Sequence, residues 1–242
     1  MCIRDSRISS TKLFELFQKT SFAMANQDWR HYLNGCLFEK TENALNMVAT
    51  DAHRLAIFKS SLEGEGDFTG IIPRKTVIEL MKILPKQDGD IEFYINTNNI
   101  VFMSKKFTFK SKLIDGNYPN YNQVVPQGEG SKITFNRKNM LDSLSRVSVL
   151  TSEKFKGVKL KADSGVLDIS AHNPDQESAE EKLDISGASA DFDIAFNVNY
   201  LKEVLGTIDQ EEISLVSFGS DKSALVESGD SNQVLVLMPL LL

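Results

Sequence analysis

The side chains best placed to do chemistry stand together in Thr50-Asp51-Ala52-His53-Arg54, between an apolar run, Leu45-Asn46-Met47-Val48, and a second, Leu55-Ala56-Ile57-Phe58. A carboxylate two residues from an imidazole could act as an acid–base pair or supply two ligands to a metal. The remainder of such a site is missing from the sequence. Of three histidines, His31, His53 and His172, none stands at the spacing that puts two ligands on one helix face. Paired carboxylates, a nucleophile elbow, a glycine-rich phosphate loop and a Cys-x-x-Cys are lacking too. The expectation is therefore no catalytic residue, no metal and no cofactor, with a binding role for this turn. Hydrolase chemistry at Asp51 and His53 is the rival, and it requires a metal or substrate analogue to bind there.

The elements around the turn follow from composition and periodicity. At 242 residues, 41% hydrophobic and 25% charged, the sequence describes a soluble globular protein with one large domain or two of ordinary size. No apolar run approaches the roughly 18 residues of a membrane span, and the N-terminus lacks the apolar core of a signal peptide, so a cytoplasmic location is expected. Cys2 and Cys36 are too few for a disulfide framework and read as free thiols in a reducing compartment. Met1-Cys2-Ile3-Arg4-Asp5-Ser6 joins no periodic pattern and is read as a non-native or assembly scar outside the fold.

The formal net charge of −6 is unevenly spread: residues 1–122 carry 16 Lys and Arg against 14 Asp and Glu, and residues 123–242 carry 11 against 19. Holding nucleic acid tightly by neutralising phosphates needs clustered Lys and Arg, so the acidic total argues against it and leaves only local basic stripes.

The chain repeats itself. Gly35-Cys36-Leu37-Phe38 followed by Ala44-Leu45-Asn46-Met47-Val48-Ala49 has a counterpart 122 residues on, in Gly157-Val158-Lys159-Leu160 followed by Val166-Leu167-Asp168-Ile169-Ser170-Ala171. Helical spacing precedes each, at Leu13, Leu16, Phe17 and Thr20 and at Met140, Leu141, Leu144 and Val147. It recurs at Val77, Leu80, Met81 and Leu84 and at Tyr200, Leu201, Val204 and Leu205. Short strands such as Ile91-Glu92-Phe93-Tyr94-Ile95 and Phe107-Thr108-Phe109 follow. Pro73-Arg74-Lys75 predicts a helix start with proline in the first turn, and Asn136 predicts an N-cap. Turn chemistry in Asp115-Gly116-Asn117-Tyr118-Pro119-Asn120-Tyr121 sets a boundary near residue 122, giving domains 7–122 and 123–242. The predicted fold class is α+β: two tandem copies of one domain, each with two helices packed on antiparallel sheets. With the apolar stripes assigned, the helices present Lys12 and Lys19, then Lys75, Glu79, Lys82 and Lys86, then Lys138 and Arg146, then Lys202, a basic side shared by equivalent elements.

Thr50-Asp51-Ala52-His53-Arg54-Leu55-Ala56 can be read beside Ser111-Lys112-Leu113-Ile114-Asp115-Gly116-Asn117-Tyr118-Pro119-Asn120-Tyr121, Phe196-Asn197-Val198-Asn199-Tyr200 and Val236-Leu237-Met238-Pro239-Leu240-Leu241-Leu242. Together these resemble the bacterial DNA polymerase III β subunit family, the replicative sliding clamps, from about Arg7 to the last residue. In that family a subunit has three DNA-clamp domains, and two subunits close head to tail into a ring around duplex DNA. This chain resembles the middle and C-terminal domains, so the N-terminal clamp domain is expected upstream. The resemblance implies a DNA replication processivity factor, an accessory subunit with no catalysis of its own. Its implied partners are duplex DNA held topologically and without sequence preference, the DNA polymerase III catalytic subunit, the clamp loader, other proteins with clamp-binding motifs, and a second copy as a homodimer in the full-length form. A truncated two-domain module that docks peptides without closing a ring is the alternative.

Residue roles carried by the resemblance follow. A hydrophobic peptide-binding cleft between the two domains would use Leu33, Thr50, His53, Arg54, Leu55, Pro119, Val124, Asn197, Tyr200, Val236, Met238, Pro239, Leu240 and Leu242, with His53 and Arg54 as donors at its rim. Gln27, Arg30, His31 and Tyr32 match a DNA-touching loop, and Lys75, Lys82, Lys138 and Lys202 would face DNA. Val149 and Leu150, with the acidic Asp175, Glu177, Glu180 and Glu181, would form the ring interface against a basic partner edge. A ring held by topology needs only weak phosphate contacts, which fits the acidic total. Three positions depart from the family: Ala52 stands in place of a glycine, Gln123 in place of a common basic residue, and Leu241 in place of a basic residue before the last leucine. A more apolar, less cationic rim is expected.

Overall fold

The computed structural model describes residues 3–41, 43–62, 66–151, 156–174, 177–187 and 192–241, with the backbone alone for residues 3–6. The chain forms two compact units divided between Pro119 and Asn120.

In the first unit, β1 (Ile3–Ser9) runs into α1 (Ser10–Thr20), where the Ser9 hydroxyl accepts the Lys12 amide and caps the helix. Leu13, Leu16 and Phe17 fall on one helical face and are buried. Four strands follow: β2 (Gly35–Thr41), β3 (Ala44–Thr50), β4 (Arg54–Ser61) and β5 (Phe68–Pro73). Then come α2 (Arg74–Ile83), β6 (Asp90–Ile95), β7 (Asn99–Met103) and β8 (Thr108–Lys112). All pairings are antiparallel, in the orders β1-β6-β7-β8 and β5-β2-β3-β4. Phe38 of β2 and Phe68 of β5 meet Phe93 of β6 and Phe102 of β7, so aromatic rings from both sheets make one core. Gly35 starts β2 because a Cβ there would collide with the Ile72 carbonyl of β5.

The second unit repeats this order element for element: β9 (Ser131–Asn136), α3 (Arg137–Val147), β10 (Gly157–Asp163), β11 (Val166–His172), β12 (Ser178–Asp184), β13 (Asp193–Asn197), α4 (Val198–Gly206), β14 (Glu212–Ser217), β15 (Ala224–Glu227) and β16 (Gln233–Leu237). The strands order as β12-β11-β10-β13 and β16-β15-β14-β9. Asn136 caps α3 by accepting the Asn139 amide, as expected, and Met140, Leu144 and Val147 are buried.

Three expectations need correction. Residues 3–6 are part of the fold: their backbone continues β1 beside β6, and a register shift between Ile3 and Ser6 hides the two-residue alternation that would have announced a strand. Pro73 is the N-cap of α2 and the last residue of β5, one place before the first turn. Lys19 is 7% exposed, so it does not belong to an outer basic side of α1.

Candidate functional site

Asp51, Ala52 and His53 form the three-residue turn between β3 and β4. The Asp51 Oδ1 accepts the amides of His53 (2.9 Å) and Arg54 (3.0 Å), and Oδ2 accepts Arg54 Nε at 3.1 Å. The Thr50 hydroxyl donates to the Arg54 carbonyl at 2.7 Å and accepts the Ala52 amide. Arg54 is 8% exposed and its guanidinium lies 5.4 Å from the Phe22 ring centroid. Asp51 thus ties the turn together, and both its oxygens are engaged in doing so. Arg54, expected as a rim donor, is a buried brace. His53 is exposed. Among the described residues no group of three His, Cys, Asp or Glu side chains is placed to hold a metal.

Ala52 has φ +74°, in the left-handed region where a Cβ costs about 1–2 kcal/mol. Glycine removes that strain and adds chain entropy to the unfolded state, so Ala52→Gly is expected to stabilise the first unit by a net of about 0.5 kcal/mol, read by urea unfolding.

The loop before β2 is ordered by another carboxylate. Asp28 takes the Arg30 amide (2.8 Å) and two guanidinium bonds (3.0 and 2.9 Å), while Asn34 bonds to the Asp28 amide and carbonyl. Arg30, expected to face DNA, is therefore already neutralised. Its guanidinium also lies 5.7 Å from the ring centroid of Trp29, which is 82% exposed. Gln27 sits at φ +59° and is exposed; His31 is exposed and Tyr32 half-buried. Hydrogen bonds from the Arg30 side chain and amide hold the Asp28 carboxyl down, from 3.8 to about 2. A carboxyl depressed in the folded state adds stability that is complete above its unfolded pKa and is lost as pH falls through the folded one. The loop ion pair should persist at pH 4 and open near pH 2. Trp29 is the only tryptophan of the chain, so its fluorescence should follow that transition, and Asp28→Asn should abolish it.

The remaining candidate positions divide by burial. Leu33 and Leu55 of the first unit and Val236 of the second are 2% exposed and belong to cores. Pro119 is exposed, and Val124 (51%) and Met238 (42%) are exposed apolar side chains. Asn197 caps α4 by accepting the Asn199 and Tyr200 amides, with Tyr200 half-buried behind it. The Ser223 hydroxyl donates to the Met238 sulfur, and the Leu240 amide to the Ala195 carbonyl, pinning the segment that holds half-buried Pro239 and Leu240. Leu241 is 85% exposed; Leu242 lies outside the described residues.

The basic helix sides are more balanced than spacing suggested. Lys82 pairs with Glu79 at 2.9 Å and Lys138 with Asp142 at 2.8 Å, while Lys75 is exposed and Lys202 half-buried. Arg146 binds Glu181 through two bonds of 2.7 and 2.9 Å, so Glu181, expected at a subunit interface, already has its cation within the unit. Glu180 is exposed, Glu177 accepts the Asn173 side chain, Val149 is 79% exposed and Leu150 half-buried; Asp175 lies outside the described residues.

Trp29, Asp28 and Phe22 escaped the sequence reading. Arg30 beside an aspartate two residues away was the available clue to Asp28.

Comparison with known proteins gives consistent matches. Residues 7–120 match the family model of the DNA polymerase III beta subunit central domain, and residues 122–241 match that of its C-terminal domain. The beta sliding clamp of Pseudomonas aeruginosa is 39% identical over 236 residues, covering 96% of this chain and 64% of its own length. That of Escherichia coli is 38% identical over 227 residues, covering 93% and 62%. The chain thus spans less than two thirds of these curated relatives. A crystal structure of the Pseudomonas aeruginosa DNA polymerase sliding clamp superposes with TM-score 0.95 at 38% identity, over 99% of this chain and 67% of that one. A Bartonella birtlesii sliding clamp bound to griselimycin gives 0.94 at 33%, over 99% and 66%.

Proposed function

The chain belongs to the DNA polymerase III beta subunit family, the sliding clamps, and on that premise we propose that it is a replication processivity factor, encircling duplex DNA as part of a ring and tethering DNA polymerase III. Its fold is two tandem clamp domains. The observation that carries the proposal is that both units match, each along nearly its whole length, to the central and C-terminal domains of that subunit.

The chemistry agrees with tethering. Helices whose lysines are exposed but partly paired, as Lys82 and Lys138 are, make weak phosphate contacts that are blind to sequence and let DNA slide. Clamp-binding peptides of the polymerase, the clamp loader and other partners would dock on apolar residues, with Val124, Met238 and Leu241 the most exposed of them. The acidic edge at Glu177 and Glu180 would take a basic edge in ring assembly. Polymerisation itself is left to the polymerase, and the cytoplasm is the proposed place of action. Among the described residues no helix is long and apolar enough to cross a membrane.

Topology separates this from docking without a ring. The protein at its natural length, loaded on nicked circular DNA by a clamp loader and ATP, is expected to stay bound through gel filtration and to be lost when the circle is cut. Equal loss from circular and linear DNA, with peptide binding intact, would overturn encirclement and favour the docking module.

A further inference from the structure

The most exposed aromatic side chain among the described residues is Trp29, at 82%. The loop that carries it is built to hold it there. The Ala25 amide donates to the Leu33 carbonyl at 3.0 Å and closes the neck of the loop. Inside, Asp28 binds the amide and guanidinium of Arg30, while Asn34 accepts the Asp28 amide and donates to its carbonyl. The Arg30 guanidinium, fixed in that pair, lies 5.7 Å from the indole centroid and backs one side of the ring. Among the described residues no other ring or cation is stacked on Trp29, so a flat apolar surface stands bare in water.

The loop also has a fixed place beside a helix. Arg74, the first residue of α2, donates its amide to the Asn34 carbonyl (2.9 Å) and its Nη1 to the Met24 carbonyl (3.2 Å), so both ends of the loop are tied to the start of α2. Lys75 follows and is exposed. Asp28 and Arg30 neutralise each other at 2.9 Å, so a phosphate contact here falls to Lys75 and the loop itself offers the indole. An indole takes up the face of another planar ring. An intact duplex hides the faces of its bases in its own stack and presents phosphates and base edges, whereas an unpaired nucleotide has a face to give.

We propose that Trp29 stacks on an unpaired base, so that the chain prefers a junction of duplex and single strand to duplex alone, without regard to the identity of the base. The inference rests on the reading that the helices face DNA, and adds to their phosphate contacts one that duplex cannot make. Two features of the loop favour it. The Asp28 clamp fixes the ring in place before DNA arrives, so little side-chain freedom is lost on binding. The guanidinium behind the indole adds a cation to the stack.

Trp29 is the only tryptophan of the 242 residues and reports on its own contact. A primed junction with a single-stranded overhang is titrated into the chain at low salt, beside a blunt duplex of equal phosphate number. Stacking quenches indole fluorescence, so saturable quenching is expected with the junction and little with the duplex. Anisotropy of the same two DNAs, labelled, then reads the variants: Trp29→Ala should cut the preference for the junction about tenfold, and Trp29→Phe, which keeps a ring, should retain most of it. Added salt should weaken binding of both DNAs and leave the preference in place. Equal quenching by junction and duplex, quenching by neither, or a Trp29→Ala chain that prefers the junction as the parent does would overturn the proposal. An indole that no DNA quenches would belong to a protein contact instead. Retention of the natural-length protein on nicked circular DNA keeps the two readings apart: a protein that stays on the circle but shows no junction preference removes this contact and leaves encirclement standing.

Discussion

Arg54→Ala is expected to destabilise the first unit by about 3 kcal/mol, which lowers its melting temperature by roughly 10 °C. The substitution leaves the Asp51 carboxylate, 13% exposed, without its cation, and strips the guanidinium from the Phe22 ring. Truncating one partner of a buried pair is costly because the other charge stays behind in a poor solvent for it. Adding Asp51→Asn should return part of the loss, since an amide oxygen still accepts an amide of the turn and carries no charge. Arg54→Lys should recover little, because a compact ammonium cannot both stack on the ring and reach Asp51 in the plane of the guanidinium. A melting temperature unchanged in Arg54→Ala would show that the buried brace contributes nothing.

Phe38→Ala carries the other large effect, about 4 kcal/mol. Phe38 is fully buried, 5.2 Å from the ring centroids of Phe68 and Phe93 and 6.5 Å from Phe102. The cavity would open where two sheets meet, and four strands cannot close on it without moving their partners. The repeat supplies its own comparison: Leu160, at the equivalent place in β10, is also fully buried. Phe38→Leu is therefore expected to cost only about 1–2 kcal/mol, a loss of ring contacts without a large void. Equal losses for both substitutions, by urea unfolding, would contradict this picture of the core.

The positions legible in advance were those where local pattern and packing agree. Leu13, Leu16 and Phe17 announce α1 by spacing, Asn136 caps α3 by its own chemistry, and Gly35 and Gly157 open matching strands of the two repeats. The turn at Asp51 was harder, because an aspartate that clamps a hairpin and one that takes a proton look alike in sequence. Only the bonds to His53 and Arg54 distinguish them. Lys19 was misplaced since it lies three residues after Leu16, at the margin of the buried stripe, where a lysine stem can pack and keep its head near polar groups. The Lys82–Glu79 and Lys138–Asp142 pairs could have been read from their helical spacing. Arg146 with Glu181 could not, because 35 residues and two hairpins separate them.

Docking is tested most directly by titrating a fluorescently labelled peptide of the Gln-Leu-x-Leu-Phe kind, the clamp-binding motif that the family resemblance implies, into the folded chain, beside Met238→Ala and His53→Ala. Saturable binding is expected, weakened about tenfold by Met238→Ala through lost apolar contact and more modestly by His53→Ala. A folded chain that does not bind the peptide, or one that binds it equally well in both variants, would contradict a tethering role at these residues.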